Sequence, residues 1–413
     1  MEGSRGPEGQ GASRGPLAGV RVLALEQMQA LPYATQLLAQ LGAEVVKVEP
    51  PGRGEAGRGA LPAIRDADGR QVGATYLRNN LGKRSLTLDL KHPEGRALFE
   101  RLLPRFDVVG ENFRPGALER LGLGYERLAE IHPPVILVSI SGFGSDPASP
   151  YTSWPAYACV AEAMGGFYEE NREPGRPPRV GPAGALGDIG TALFAAVGIL
   201  AALRERDRTG RGRRVEVAMF DAMVAMADVY PNLRSLGVEH FSRQATPGIW
   251  DAFRADDGYF VVQAVREPHL ELFARVVGHP EWLEDDRLSD RAGWTEHLET
   301  LIRPAVEAWA RGRTRLECAR ELARAGVAAG PCFSAADLEL DPHVRARGMI
   351  LELPRPDAPT PVRVTGNPIK LSGAEEAEPR RWPLLGEHTG EILAGELGLG
   401  AEEIEDLRRR GVV

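Results

Sequence analysis

A glycine at every third position surrounds a single carboxylate in the segment Gly181-Pro-Ala-Gly184-Ala-Leu-Gly187-Asp188-Ile-Gly190-Thr191, and an apolar run continues to Gly198. Small residues on both sides of Asp188 leave room for a ligand or for a closely packed neighbour. A helix beginning here would favour the ionised form of Asp188 through its positive N-terminal end, as a nucleophilic carboxylate requires. The same pattern also fits an ordinary Asp N-cap on a buried helix.

Other reaction types find less support. Gly52, Gly54 and Gly57 have the GxGxxG spacing, but they follow the second predicted strand and lead into more loop. A pyrophosphate fingerprint follows the first strand and opens a helix. The segment therefore reads as a mobile glycine-rich loop, with a dinucleotide oxidoreductase kept as an alternative. The eight histidines show no HxxxH or similar ligand spacing, so no metal site is expected. No GxSxG elbow is present. Cys159, Cys318 and Cys332 are odd in number and lack CxxC spacing, which indicates neither a disulfide framework nor zinc and suits a reducing cytoplasm. Lysine is confined to Lys47, Lys83, Lys91 and Lys370, so a lysine near a site stands out against the arginine-rich background.

The net charge of −8 argues against broad nucleic-acid binding, which needs a positive surface. A chain of 413 residues, 43% hydrophobic, can bury more than one core. Residues 1–15 carry almost nothing apolar and are expected to be a disordered lead. Val20–Leu25, Pro32–Leu41 and Ala43–Glu49 predict a βαβ unit. Further helices are predicted at 93–103, 117–121 and 125–131, with strands at 107–111 and 135–139. That alternation predicts a mostly parallel sheet with helices on both faces. The apolar run Ile189–Leu203, closed by Asp188 and Arg204, falls short of the roughly 20 residues of a membrane helix and reads as a core helix. The predicted organisation is a large domain from residues 16–229 and 346–413, with a smaller domain at about 250–345 between them.

The chain resembles the family III CoA-transferases, whose superfamily includes alpha-methylacyl-CoA racemase. The resemblance runs from Leu17 to Val413 and rests on several ordered blocks. These are Leu17-Ala-Gly-Val-Arg-Val-Leu, Leu41-Gly-Ala-Glu-Val-Val-Lys-Val-Glu, Gly82-Lys-Arg-Ser-Leu, Glu111-Asn-Phe-Arg-Pro-Gly, Gly187-Asp188, Thr209-Gly-Arg-Gly and Leu385-Gly-Glu-His-Thr. It implies an α/β fold with a Rossmann-like large domain built from both chain ends, a smaller inserted domain, and an interlocked homodimer. It also implies that CoA moves from an acyl-CoA thioester to a small carboxylic acid through an aspartyl-acyl anhydride and an aspartyl-CoA thioester at Asp188. CoA is then a substrate, and no tightly bound cofactor, metal, nucleic acid or membrane is called for.

By position in the family's motifs, the resemblance assigns Gln29 to the thioester end, where its amide could stabilise developing oxyanion charge. It assigns Ala30, Leu88, Lys91, Asn112, Phe113, Arg114, Arg120 and Tyr157 to CoA binding. Solvated surface charge is the plain alternative for Lys91 and Arg120. The chain departs from formyl-CoA transferase at Pro50, Pro155 and Ala158, and it lacks that enzyme's glycine-rich substrate loop between Asp221 and Gly258. The racemase branch carries a catalytic histidine where this chain has Ala156, which favours transfer over racemisation. A racemase and a non-catalytic CoA binder remain the alternatives.

Overall fold

The computed structural model describes residues 15–173, 175–181, 184–238, 247–373 and 380–413. The predicted lead, apart from Gly15, and Pro182 and Ala183 of the glycine-spaced segment lie outside the described residues. Contacts divide the chain into two compact units, one running up to Asp228 and resuming at Gly348–Val413, the other Val229–Arg347.

The first unit begins with β1 (Arg21–Leu25), α1 (Ala30–Gln40), β2 (Glu44–Glu49), a hairpin of β3 (Ala63–Arg65) and β4 (Gln71–Gly73), and α2 (Ala74–Asn79). Then come β5 (Arg84–Thr87), α3 (Pro93–Leu102), β6 (Val108–Glu111), α4 (Ala117–Arg120), α5 (Tyr125–Ile131) and β7 (Ile136–Ser141). A loop leads to α6 (Ala158–Met164), α7 (Phe167–Glu170), α8 (Leu186–Thr209), β8 (Arg214–Ala218) and α9 (Met219–Met226). Six strands form one parallel sheet in the order β5-β2-β1-β6-β7-β8.

Side chains alternate across these strands, so β1, β2, β6 and β7 each supply two cores. Leu23, Leu25, Val46, Val48, Val109 and Leu137 join a cluster with α3, α5 and the carboxyl-terminal helices Thr389–Leu397 and Ala401–Arg409. Val22, Ala24, Val45, Val108, Ile136 and Val138 join the opposite cluster with α1, α6, α8 and α9. The carboxyl-terminal segment is tied to β5 by hydrogen bonds from His388 N–H to the Ser85 carbonyl and from Thr87 N–H to Thr389 Oγ1. The hairpin of β3 and β4 packs with Tyr76, Leu77, Trp382 and residues of a later hairpin, Ile350–Arg355 with Ala358–Thr365.

The second unit has a three-stranded antiparallel sheet of Ile249–Ala255, Gly258–Ala264 and Ala328–Pro331, covered by helices that include Glu267–Val276 and Arg315–Arg324. The sequence predicts one long helix from Trp294 to Arg311, and the structure breaks it. Arg291–Glu296 and Arg303–Trp309 are separated by a π-turn at Leu298–Ile302, which keeps Trp294, Leu298, Ile302 and Val306 all in the core.

The glycine loop after β2 corrects the expectation of a mobile segment. Gly52 and Gly54 adopt positive φ, and Ala56–Gly59 then forms a short 3-10 turn. Arg58 lies buried, with Nε and Nη2 each donating at 2.7 Å to the Glu49 carboxylate. Six charged side chains are buried together in this region. Lys83 Nζ donates to Glu26 at 2.6 Å, and Lys47 Nζ sits 3.5 Å from both Glu26 and Glu55. Glu26, Glu49 and Glu55 balance Lys47, Lys83 and Arg58.

The apolar run expected as a core helix lies within a longer one. α8 has 24 residues and is long and apolar enough to cross a membrane. Arg204 closes the apolar run but not the helix. The helix runs on to Gly210, whose left-handed conformation closes it with a bond to the Arg206 carbonyl. One side packs in the core, while Leu193, Phe194, Val197 and Leu200 lie exposed on the other.

Removing one member of the buried charge cluster leaves a partner uncompensated. Lys83→Met is expected to destabilise the protein by about 3–5 kcal/mol in urea titrations, whereas Lys83→Met with Glu26→Leu recovers most of that loss.

Candidate active site

In a parallel sheet, ligands gather where strand order reverses, beyond the carboxyl ends of the strands. Here the chain turns from β1 to β2 on one side, and β6 lies on the other, so the loops after β1 and β6 flank that point. They are joined directly. Gln27 N–H donates to Asn112 Oδ1, and Asn112 Nδ2 donates back to the Gln27 carbonyl, both at 2.9 Å.

Gln29 then takes the N-cap position of α1. Its carbonyl accepts from Tyr33 N–H at 2.9 Å, while its carboxamide makes no capping bond. Ala30 opens the helix and is buried against the core, so what it can offer a ligand is backbone in the first turn, where N–H groups lack helical partners.

Asp188 approaches the same edge from another direction. α8 delivers the chain through Gly210–Arg213 to the start of β8, so its first turn lies toward the carboxyl ends of the strands. At about 36 Å it is also longer than the roughly 20 Å of a six-residue strand such as β7. Asp188 is the third residue of α8, three places past where an N-cap reading puts it, since Ala185 holds that position.

The glycines around it serve close packing. A Cβ on Gly187 would stand 2.8 Å from the Ala158 carbonyl, and one on Gly190 would collide with the Met226 sulfur. Gly187 N–H donates to Glu162 Oε1 at 2.9 Å, and the Tyr168 hydroxyl donates to Glu162 Oε2. The acceptor that satisfies the start of α8 therefore comes from α6.

This arrangement shifts the Asp188 pKa in the direction opposite to the one its helix end would favour. Burial, and after it the neighbouring Glu162 carboxylate, raise its pKa to about 6. The helix end favours the anion, but the desolvation and like-charge effects outweigh it. The result is a carboxylate that remains ionised at neutral pH and is poorly solvated, both useful in a nucleophile. The same acidic neighbour pushes Tyr168 up to about 12, together with burial, which contributes more.

The remaining expected residues fall into three groups. Asn112 and Phe113 follow β6, with Phe113 N–H donating to Glu111 Oε2 at 2.8 Å and its ring partly buried. Lys91, Arg114, Arg120 and Tyr157 are exposed. Lys91 follows β5, and Arg114 and Arg120 follow β6, three strand positions away, so the basic groups are spread over roughly 14 Å of the carboxyl edge. Leu88 differs from its expected role. Its side chain is buried in the core and its N–H bonds the Glu49 carbonyl, so no apolar surface is left there to cover a nucleotide.

Sequence reading missed Glu162, Tyr168 and Glu55. The available signal for Glu162 was an acid inside the small, apolar helix Ala158-Cys-Val-Ala-Glu-Ala-Met.

The family model for CoA-transferase family III matches residues 17–389. Succinyl-CoA:mesaconate CoA-transferase of Haloarcula hispanica is 38% identical over 95% of this chain and 99% of its own length. Formyl-CoA:oxalate CoA-transferase of Streptomyces coelicolor is 37% identical over 96% of this chain and 99% of its own. Among solved structures, a CAIB/BAIF family protein from Brucella suis superposes with a TM-score of 0.81 at 33% identity, covering 93% of this chain and all of that one.

An acid whose pKa is raised by folding stabilises the protein below its unfolded value, and that contribution disappears as pH rises through the folded one. Asp188→Asn is therefore expected to melt higher than wild type at pH 8, by about 1–2 kcal/mol after allowing for solvent screening, with little difference near pH 4. In a ¹³C-NMR titration the Asp188 carboxyl is expected to titrate near 6, and at a lower pH in Glu162→Gln.

Proposed function

The chain belongs to CoA-transferase family III, and on that premise we propose that it transfers CoA from an acyl-CoA donor to a small free carboxylic acid with Asp188 as nucleophile. The observation that carries this reading is the partly buried, poorly solvated Asp188 carboxylate in the first turn of α8, at the sheet edge where the Gln27–Gln29 loop and Asn112 also lie.

An Asp188 oxygen attacks the thioester carbonyl carbon, the C–S bond breaks, and CoA thiolate leaves behind a mixed anhydride. The thiolate attacks the Asp188 Cγ, releasing the donor acid and leaving an aspartyl-CoA thioester. The acceptor carboxylate then displaces CoA from Cγ to give a second anhydride. The returning thiolate attacks the acceptor's carbonyl carbon, which frees Asp188 and the new thioester. Each step exchanges one acyl bond for another, with no net proton or electron.

The Gln29 carboxamide, free of any capping bond, stabilises the oxyanion in the attack steps. Lys91, Arg114 and Arg120 meet the CoA phosphates, and Ala30, Asn112, Phe113 and Tyr157 line the rest of its path. The Leu88 segment contributes through its backbone. Pro50, Pro155 and Ala158 shift part of the phosphate binding onto these remaining basic groups. Relatives named for succinyl-CoA with mesaconate and formyl-CoA with oxalate support a small dicarboxylic acid in the substrate pair. Ala156, whose place a histidine takes in the racemase branch, offers no second base for racemisation.

We also propose that the large domain, from both chain ends, and the smaller inserted one form an interlocked homodimer. The exposed apolar face of α8 supports it, because a surface of Leu193, Phe194, Val197 and Leu200 is stable in water when a second copy covers it.

Incubation with a panel of acyl-CoA donors and hydroxylamine, followed by peptide mass spectrometry, is expected to give a donor-dependent hydroxamate at Asp188. Asp188→Asn is expected to lose about 10⁴-fold or more in turnover. Absence of any adduct despite CoA binding, or solvent exchange of the donor's α-hydrogen without an acceptor, overturns the reading. Sedimentation velocity is expected to give twice the chain mass for wild type and a monomer or an unfolded chain for Val197→Asp. A monomeric wild type overturns the dimer.

A further inference from the structure

Four consecutive backbone groups in the loop after β1 are satisfied by side chains from three other segments. Gln27 N–H and C=O are bonded by Asn112, Met28 N–H donates to Glu55 Oε2 at 3.0 Å, and Met28 C=O accepts from Asn79 Nδ2 at 3.4 Å. Met28 has φ +60°, a left-handed conformation that costs a non-glycine residue about 1–2 kcal/mol and persists when its surroundings enforce it. The next residue is Gln29.

Glu55 is itself rigidly held. Its N–H donates to Glu49 Oε2 at 3.1 Å, and Glu49 is fixed by both Arg58 nitrogens and by Ser85 Oγ at 2.8 Å. The Glu55 carboxylate also accepts from Gly57 N–H at 2.5 Å. Its second oxygen, Oε1, is buried with no hydrogen bond and faces Lys47 Nζ at 3.5 Å. An unbroken line of contacts therefore runs from β5 through Glu49 and Glu55 to the peptide that precedes Gln29.

We propose that Glu55 is a positioning residue for CoA transfer. It locks Met28 in its left-handed turn and so fixes Gln29 and the first turn of α1 against the reacting carbonyl. This rests on the functional reading above. Glu55 touches no reacting atom. Its effect is on geometry, and small displacements of an oxyanion donor are enough to slow an acyl transfer.

The test compares Glu55→Gln with Glu55→Met. Both remove the charge facing Lys47, so they share its electrostatic penalty, but only glutamine keeps an oxygen that can accept from Met28 N–H and Gly57 N–H. The readout is the single-turnover rate of Asp188 adduct formation per folded molecule, with acyl-CoA affinity and melting temperature measured alongside. Glu55→Met is expected to react about 10- to 100-fold more slowly than Glu55→Gln, with acyl-CoA affinity within about threefold. Asn79→Ala, which releases the other end of the Met28 peptide, is expected to slow the same step, and it serves as the test if Glu55→Met does not fold. Equal rates for the two Glu55 variants, or an unchanged rate in Asn79→Ala where that is the usable variant, overturn the positioning role alone. A wild-type protein that forms no Asp188 adduct overturns the functional reading, and this proposal with it.

Discussion

The constraint on which the first unit depends is charge balance in a place without water. Glu26, Lys47, Glu49, Glu55, Arg58 and Lys83 are removed from solvent together. Any one of them alone would cost several kcal/mol to bury. As three acids and three bases in contact, they hold one another in place, and they come from β1, β2, the glycine loop and the start of β5. Burial pulls Lys83 down to about 8 even with Glu26 beside it, while Glu26 stays below the usual carboxylate range because Lys83 and Lys47 outweigh its own desolvation. The sheet's carboxyl edge is thus a rigid platform on the β1 side.

The other side of the site is built by close packing. α8 meets α6 through Gly187 against Ala158, and meets α9 through Gly190 against the methionines Met223 and Met226. A helix packed that tightly holds Asp188 in its partly buried place, and Glu162 is fixed beside it by Gly187 N–H and Tyr168. The raised pKa of Asp188 is therefore a product of packing, and the local instability of its anion suits the nucleophilic role proposed for it.

These two constructions divide the work. A charged, hydrogen-bonded framework fixes the backbone that precedes Gln29, and an apolar, small-residue framework fixes the carboxylate. Under the proposed function the exposed basic residues after β5 and β6 need no such support, since phosphate recognition tolerates long, mobile side chains better than covalent chemistry does. The exposed face of α8 marks the part of that helix which the described residues leave uncovered.

The parallel sheet, the helices on both faces and the position of Asp188 in an apolar helix were legible in the sequence, because alternation, helical periodicity and glycine spacing are local patterns. So were the ordered motifs that carry the family resemblance. The short strands at 63–65 and 71–73 and the order of the loop after β2 were not, since the partners that fix them, Tyr76, Trp382 and Glu49, are distant in the chain or unremarkable in composition. Leu88 reads as a surface contact in its motif, yet tertiary packing turns it inward. The sequence by itself determined which groups are available: one carboxylate among glycines, four lysines and an amide after the first strand. Only the tertiary structure decided their states. Ionisation depends on burial and on neighbours such as Glu162, and the Met28 turn depends on side chains up to 85 residues away, which no local pattern encodes.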